Sequence, residues 1–339
     1  MKTLLRISLV IVALSWVILL NACSPAATPV LPPVTSQPTP ANTVAPTDMP
    51  AKTVAPADTP APMPVKKPGF KLLPLPAAVI KDKIEVNGHK LYVACYGKGS
   101  PTVVLEHGFA ADTATWNSIV PYVAAETQVC AYDRFNTGQS GADFGLLTMD
   151  QVTADLHALR QALKIEGPII TVGHSIGGAF AVAYAIRYAD DVAGVVLVDS
   201  AYPNHSARYL AALPAPAASE NPDITSLRKT FVADVASWKD CCELSNWDKV
   251  AAQFESSKLG DTPLVALTQA KKPAANWPDL PADLADRLED VWQGIQRDYA
   301  AMSSNGQVIV AEDSGHGIQW DQPQLVLDAI LAVVKTARK

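Results

Sequence analysis

Ile169-Ile170-Thr171-Val172-Gly173-His174-Ser175-Ile176-Gly177-Gly178-Ala179 decides how the rest of the chain is read. The first four residues are β-branched and predict a short strand buried on both faces. After the Gly-x-Ser-x-Gly turn, Gly178, Ala179, Ala181 and Ala183 open a helix of small residues, so the serine sits where a strand gives way to a helix. That is the setting of a nucleophile elbow. The turn forces the serine into a strained backbone conformation, and glycines two residues to either side stand where a side chain would collide. The hydroxyl then projects at the edge of the sheet. Because Ser175 lies at a helix N-terminus, the Ile176 N–H and the positive end of the helix dipole face any negative charge that develops there. A glycine-rich turn that merely packs a helix on a strand would give the same five residues, so the surrounding sequence has to decide.

On either side of this stretch, short β-rich runs alternate with longer runs of helical period, the pattern of a mainly parallel sheet with helices on both faces. The strand candidates are residues 83–86, 91–96, 102–105, 128–132, 169–172, 194–198, 264–267 and 307–310. Between the fourth and fifth, Val152, Leu156, Leu159 and Leu163 mark one helical face, and Thr148 with Gln151 supplies a capping pair at its start. Further helices are expected after Ser175, from Pro281 and from Pro323. The stretch 201–261 breaks the rhythm: it is rich in Ala, Pro and Ser, has no clear strand, and reads as a helical lid inserted after the sixth strand. Its Tyr209, Trp238 and Trp247 are either pocket walls or lid core.

Three further motifs join the elbow. Val104-Leu105-Glu106-His107-Gly108-Phe109 ends the third strand candidate, Tyr132-Asp133-Arg134-Phe135-Asn136-Thr137-Gly138-Gln139-Ser140 follows the fourth, and Ser314-Gly315-His316 follows the last. With these four motifs the chain resembles the α/β-hydrolase superfamily, its lid-bearing esterase and haloperoxidase-like branches in particular, from about residue 80 to the end. The resemblance implies an eight-stranded α/β-hydrolase fold with Ser175 as nucleophile and His316 as general base. It makes the backbone N–H groups of Phe109 and Ile176 the oxyanion donors and gives the Asp133–Ser140 turn a structural role. Asn136 replaces the usual glycine of that turn, which asparagine can do because it tolerates positive φ. Among the other histidines, His107 and His174 are read as scaffold or pocket lining, and His157 and His205 fit the base position less well.

The acid that orients His316 has two candidates. Most relatives place it after the seventh strand, but Leu264 to Ala270 runs into Lys271-Lys272-Pro273 without a carboxylate, and Asp279 is the first available. Asp199, in Val198-Asp199-Ser200 after the sixth strand, is favoured, with Asp279 as the alternative; Asp261 falls at the wrong end of the seventh strand. The implied chemistry is hydrolysis of an ester-like small molecule through an acyl-enzyme, with no metal or organic cofactor. Peptidase, thioesterase, lactonase and haloperoxidase activities share this machinery, and a surface-displayed binding module that lost turnover is the alternative from another class.

The chain has 339 residues, 49% of them apolar, enough for a domain with a large core. Its amino-terminal end is built differently. Lys2 and Arg6 precede an apolar run from Ile7 to Leu20, and Leu20-Asn21-Ala22-Cys23 resembles a bacterial lipobox. Fourteen residues of helix span only about 21 Å, short of a bilayer core of about 30 Å, so residues 1–22 read as a cleaved lipoprotein signal and Cys23 as the lipidated residue. From Ser24 to Pro68 there are 13 of the chain's 27 prolines and no aromatic residue; Thr43-Val44-Ala45-Pro46 recurs as Thr53-Val54-Ala55-Pro56. Such a stretch cannot build a core and reads as a stalk from residue 23 to 68, holding a hydrolase domain of residues 69–339 away from a membrane. The expected location is outside the cytoplasm, anchored by lipid. There Cys95 and Cys130, on strands expected to be neighbours, are either bridged or free; no cysteine spacing suggests a metal. Net charge is −6 with no basic run, which argues against a nucleic-acid partner.

Overall fold

The computed structural model describes the backbone of residues 69–141, 148–237 and 247–339 and the side chains of 69–141, 148–233 and 250–339. The leader, the stalk, Cys23, Cys241, Cys242, Trp238 and the Trp247 side chain therefore fall outside the described residues. All eight expected strands form. They are β1 (Ile80–Val86), β2 (His89–Tyr96), β3 (Val103–Glu106), β4 (Val129–Tyr132), β5 (Ile169–His174), β6 (Val192–Val198), β7 (Leu264–Gln269) and β8 (Gly306–Ala311), in the sheet order β1-β2-β4-β3-β5-β6-β7-β8. β1 and β2 run antiparallel to their neighbours, and from β4 onward every pairing is parallel. The β1–β2 hairpin turns on Asn87 and Gly88, with φ of 50° and 87°, as the right-handed twist of the paired strands requires.

The alternation of side chains along each strand divides the core in two. Val104, Cys130, Ile169, Val195, Leu197 and Leu264 face a cluster with helices α2 (Met149–Ala162), α3 (Ile176–Arg187) and α8 (Ala282–Ala300). Val103, Leu105, Ile170, Val172, Val196 and Leu267 face the other, with α1 (Val120–Glu126) and α10 (Pro323–Ala337). The expected start of α2 is present as a full capping box, Thr148 accepting from the Gln151 N–H and Gln151 reaching back to the Thr148 N–H. Between β6 and β7 the irregular stretch contains α4 (His205–Ala212), α5 (Pro222–Ser237) and α6 (Trp247–Ser256), a helical insertion where one was expected.

Two strands begin one residue later than the sequence suggests. Thr102 and Gln128 precede β3 and β4, and their side chains bond each other, Oγ1 to Oε1 at 2.9 Å. Two one-turn helices, α7 (Pro273–Asn276) and α9 (Ile318–Asp321), were also not anticipated; neither is long enough to leave a periodic signal.

Cys95 and Cys130 lie directly opposite each other on β2 and β4 and are joined by a disulfide. The bridge closes a loop of 35 residues, which by chain-entropy reasoning is worth about 3–4 kcal/mol. Protein refolded under reductant is expected to melt roughly 10 °C lower, at about 2–4 °C per kcal/mol for a domain this large. Calorimetry with and without reductant checks this, and coincident transitions would contradict it.

Candidate active site

β3 and β5 are neighbours, yet the chain leaves β3 towards β4 on one side and β5 towards β6 on the other. Open α/β sheets bind ligands beyond the carboxyl ends of strands at such a switch point. The Glu106–Phe109 motif and the Gly173–Gly177 turn meet there, with Glu106 in register with Gly173.

Ser175 occupies the step between β5 and α3 at φ 55°, ψ −125°, a conformation that L-residues adopt only under constraint. Three backbone bonds impose it: the Ser175 N–H donates to Val198 O at 3.1 Å, and its carbonyl accepts from the Gly178 and Ala201 N–H groups, each at 3.0 Å. The two flanking glycines are needed for space. A Cβ on Gly173 would lie 2.3 Å from Gly177 O, and one on Gly177 would lie 2.5 Å from His107 O. The second contact also brings the β3 loop against the elbow, where the Cβ position of Gly108 would be 3.5 Å from Ser175 Cβ. The N–H groups of Phe109 and Ile176 thus belong to the two segments that meet beside Ser175.

His316 stands on the loop between β8 and α9. Asp321 shapes that loop by accepting from the Gly315 N–H at 3.0 Å and the Ser314 hydroxyl at 3.2 Å. The ring is half exposed, and its Nδ1 lies 2.7 Å from Asp199 Oδ2. Asp199 is fully buried at the end of β6, itself at φ 46°. A buried carboxyl group needs hydrogen bonds to offset desolvation, and Oδ1 receives three: from the Gln269 N–H at 3.0 Å, Trp292 Nε1 at 2.8 Å and Thr268 Oγ1 at 3.4 Å. Oδ2 is left to the imidazole. Of the two acid candidates, Asp199 is therefore the one brought to His316. Asp279 lies exposed between α7 and α8, and buried Glu289 ties down the preceding segment through the Lys272 N–H, Asn276 Nδ2 and Trp277 Nε1.

The two histidines read as scaffold are buried next to these groups. His174 Nε2 lies 3.0 Å from the His316 carbonyl, which can only accept, so Nε2 carries the proton. Burial first, then repulsion from His316, pushes the His174 pKa down to about 3, keeping the ring neutral while it braces the backbone of His316. His107 is likewise held well below the usual histidine range by burial and by Arg134. Its Nδ1 lies 2.8 Å from Gly108 O and by the same logic donates to it.

Tyr209 stacks on Phe231 with ring centroids 5.1 Å apart and meets the edge of Trp277. Burial raises its phenol pKa, and Asp199 and Glu289 raise it further. It thus belongs to the packed centre of the insertion and still lies close enough to Asp199 to feel its charge. Trp292, the Gln269 N–H and Asp321 escaped the sequence reading. Trp292 and Gln269 reach Asp199 from 93 and 70 residues away and leave no local pattern. Asp321 does leave one, a carboxylate five residues after His316. Among the described residues, no cluster of three or more His, Cys, Asp or Glu side chains is arranged to hold a metal ion.

The alpha/beta hydrolase family matches this sequence over residues 103–329. A Bacillus subtilis (strain 168) protein named as uncharacterized, YqjL, is 24% identical over 239 residues, covering 70% of this chain and 85% of the relative. "Probable esterase D14L" of Oryza sativa subsp. japonica is 27% identical over 192 residues, 54% of this chain and 68% of its own length. Among solved structures, a thermophilic esterase from Thermogutta terrifontis superposes with a TM-score of 0.50 at 22% identity, covering 78% of this chain and all of that one.

Proposed function

Because this chain belongs to the alpha/beta hydrolase family, we propose that it is a serine hydrolase that cleaves a carboxylic ester through an acyl-enzyme. One observation carries the reading: the 2.7 Å contact between His316 Nδ1 and the buried Asp199 carboxyl group, on the histidine that follows the last strand of a sheet whose fifth strand leads directly into Ser175. An Asp on Nδ1 fixes the tautomer in which Nε2 is a free base, the form able to take a proton from a serine hydroxyl. His316 removes the Ser175 proton as Oγ attacks the ester carbonyl, and the Phe109 and Ile176 N–H groups receive the oxyanion. The protonated imidazole returns its proton to the leaving alkoxide. Water, deprotonated by the same histidine, then releases the acid and restores the serine. The rice relative's name, a probable esterase, supports the same reaction class. The test is turnover of a chain-length series of p-nitrophenyl esters by the full chain: hydrolysis that depends on Ser175 supports the reading, and no hydrolysis of any member of the series overturns it.

We further propose that the enzyme works outside the cytoplasm, tethered through lipid on Cys23. The sequence from Lys2 to Cys23 and the paired Cys95 and Cys130, a bond that oxidising compartments favour, support this. No helix among the described residues is long and apolar enough to cross a membrane. Labelled palmitate is expected to enter the wild-type chain expressed in a bacterial host and not Cys23→Ser, which should also leave the membrane fraction. Equal labelling and fractionation of the two would rule the anchor out.

A further inference from the structure

We infer that Arg134 is a positioning residue for the oxyanion hole: its guanidinium, held by Glu106, which Tyr132 in turn bonds, fixes the Gly108–Phe109 peptide so that the Phe109 N–H faces the substrate oxygen. The inference rests on the serine-hydrolase reading and adds to it a role for a turn so far treated as structural.

Arg134 is almost completely buried, and so is its partner Glu106. Nη1 donates to His107 O at 2.7 Å and to Glu106 Oε2 at 3.3 Å, while Nη2 donates to Gly108 O at 3.0 Å. The other Glu106 oxygen accepts from the Tyr132 hydroxyl. The guanidinium also lies over the Phe180 ring of α3, 4.7 Å from its centroid, and so bridges the β3 loop and the elbow helix. The Gly108 carbonyl additionally accepts from His107 Nδ1 at 2.8 Å, which uses both of its lone pairs. A peptide unit is planar and trans, so C=O and N–H point in opposite directions. Pinning Gly108 O from the Arg134 side therefore aims the Phe109 N–H the other way. A carbonyl that accepts from a cation is also polarised, which makes the N–H of the same peptide a stronger donor.

Stability is a poor reason to bury an arginine and a glutamate, because apolar residues of similar volume often serve as well. An aimed and polarised peptide is a reason that apolar residues could not supply. Such an effect belongs to the transition state, where the oxyanion exists, and not to the neutral ester.

The experiment compares full-chain wild type with Arg134→Lys and Glu106→Gln, each normalised to active sites counted by exhaustive fluorophosphonate labelling. It reads kcat and KM on the best p-nitrophenyl ester and the affinity of an alkyl boronic acid, which becomes an oxyanion-bearing adduct on Ser175. Losing an oxyanion donor outright typically costs about 10²–10³ in kcat, so a misaimed one should cost about 10- to 100-fold in Arg134→Lys, with KM within about twofold and boronate affinity falling in parallel. Glu106→Gln keeps the volume and removes the charge, and should lose about 3- to 10-fold in both. This variant carries the test if Arg134→Lys does not fold. Folded variants that keep wild-type kcat per site and boronate affinity, or that change KM alone, would overturn the role of Arg134 and leave the hydrolase reading intact. A wild type that neither labels nor turns over esters would overturn both.

Discussion

Ser175→Ala is expected to lower ester turnover by about 10⁴-fold or more, with melting shifted by no more than a few degrees. The size of the loss follows from the mechanism. Without Oγ no acyl-enzyme can form, and what remains is water attacking a bound ester beside the Phe109 and Ile176 N–H groups. The small effect on melting follows from geometry, since the backbone bonds to Val198, Gly178 and Ala201 hold the elbow whatever side chain it carries. Ser175→Gly should lose activity equally yet be more stable, because a residue with a Cβ at φ 55° costs about 1 kcal/mol or more that glycine does not. A stabilised and inactive glycine variant would be the mark of strain held at the reacting residue. Kinetics and calorimetry on the two variants check this, and an alanine variant that keeps a tenth of wild-type turnover would remove Ser175 from the chemistry.

The second large effect is expected from Asp199→Asn, about 10³- to 10⁴-fold in kcat, against a change of less than about twofold in Asp279→Asn. Three donors meet at Oδ1 of Asp199, so an asparagine will place its carbonyl oxygen there and turn its amide N–H₂ towards His316 Nδ1. A donor facing Nδ1 forces the imidazole into the other tautomer, with its proton on Nε2, where it cannot accept one from serine. The loss should be in kcat and not in KM, because the group being disturbed touches no part of the neutral ester. Asp199→Ala should cost activity and also stability, since it leaves the buried Trp292 Nε1 and the part-buried Gln269 N–H without their acceptor. Loss of activity in Asp279→Asn with activity kept in Asp199→Asn would make Asp279 the acid.

What the sequence revealed and what it withheld divide along physical lines. The elbow, the capping box of α2, the alternation of strands and helices and the positive φ of Asn136, 65° in the structure, all arise from neighbours within a few residues, and all could be read. The position of His316 was legible because a Ser-Gly-His triplet lies between the last strand and the last helix. Asp199 was favoured over Asp279 on its place after the sixth strand alone, because the sequence does not show which carboxyl group finds donors. Those donors come from β7 and from the middle of α8, far along the chain. The role inferred for Arg134 was hidden for the same reason: its contacts join the ends of β3 and β4, and neither segment hints at the other. Thr102 and Gln128, expected as the first residues of β3 and β4, stand just before them and bond each other through their side chains, a pairing that period-two patterning cannot register.

Activation of Ser175 as a nucleophile can be read by treating the full chain with an alkyl fluorophosphonate and mapping the adduct by peptide mass spectrometry. One phosphonyl group per chain is expected, on Ser175, with no labelling of Ser175→Ala and strongly slowed labelling of Asp199→Asn. An unlabelled wild type, or an adduct on any other residue, would contradict that activation.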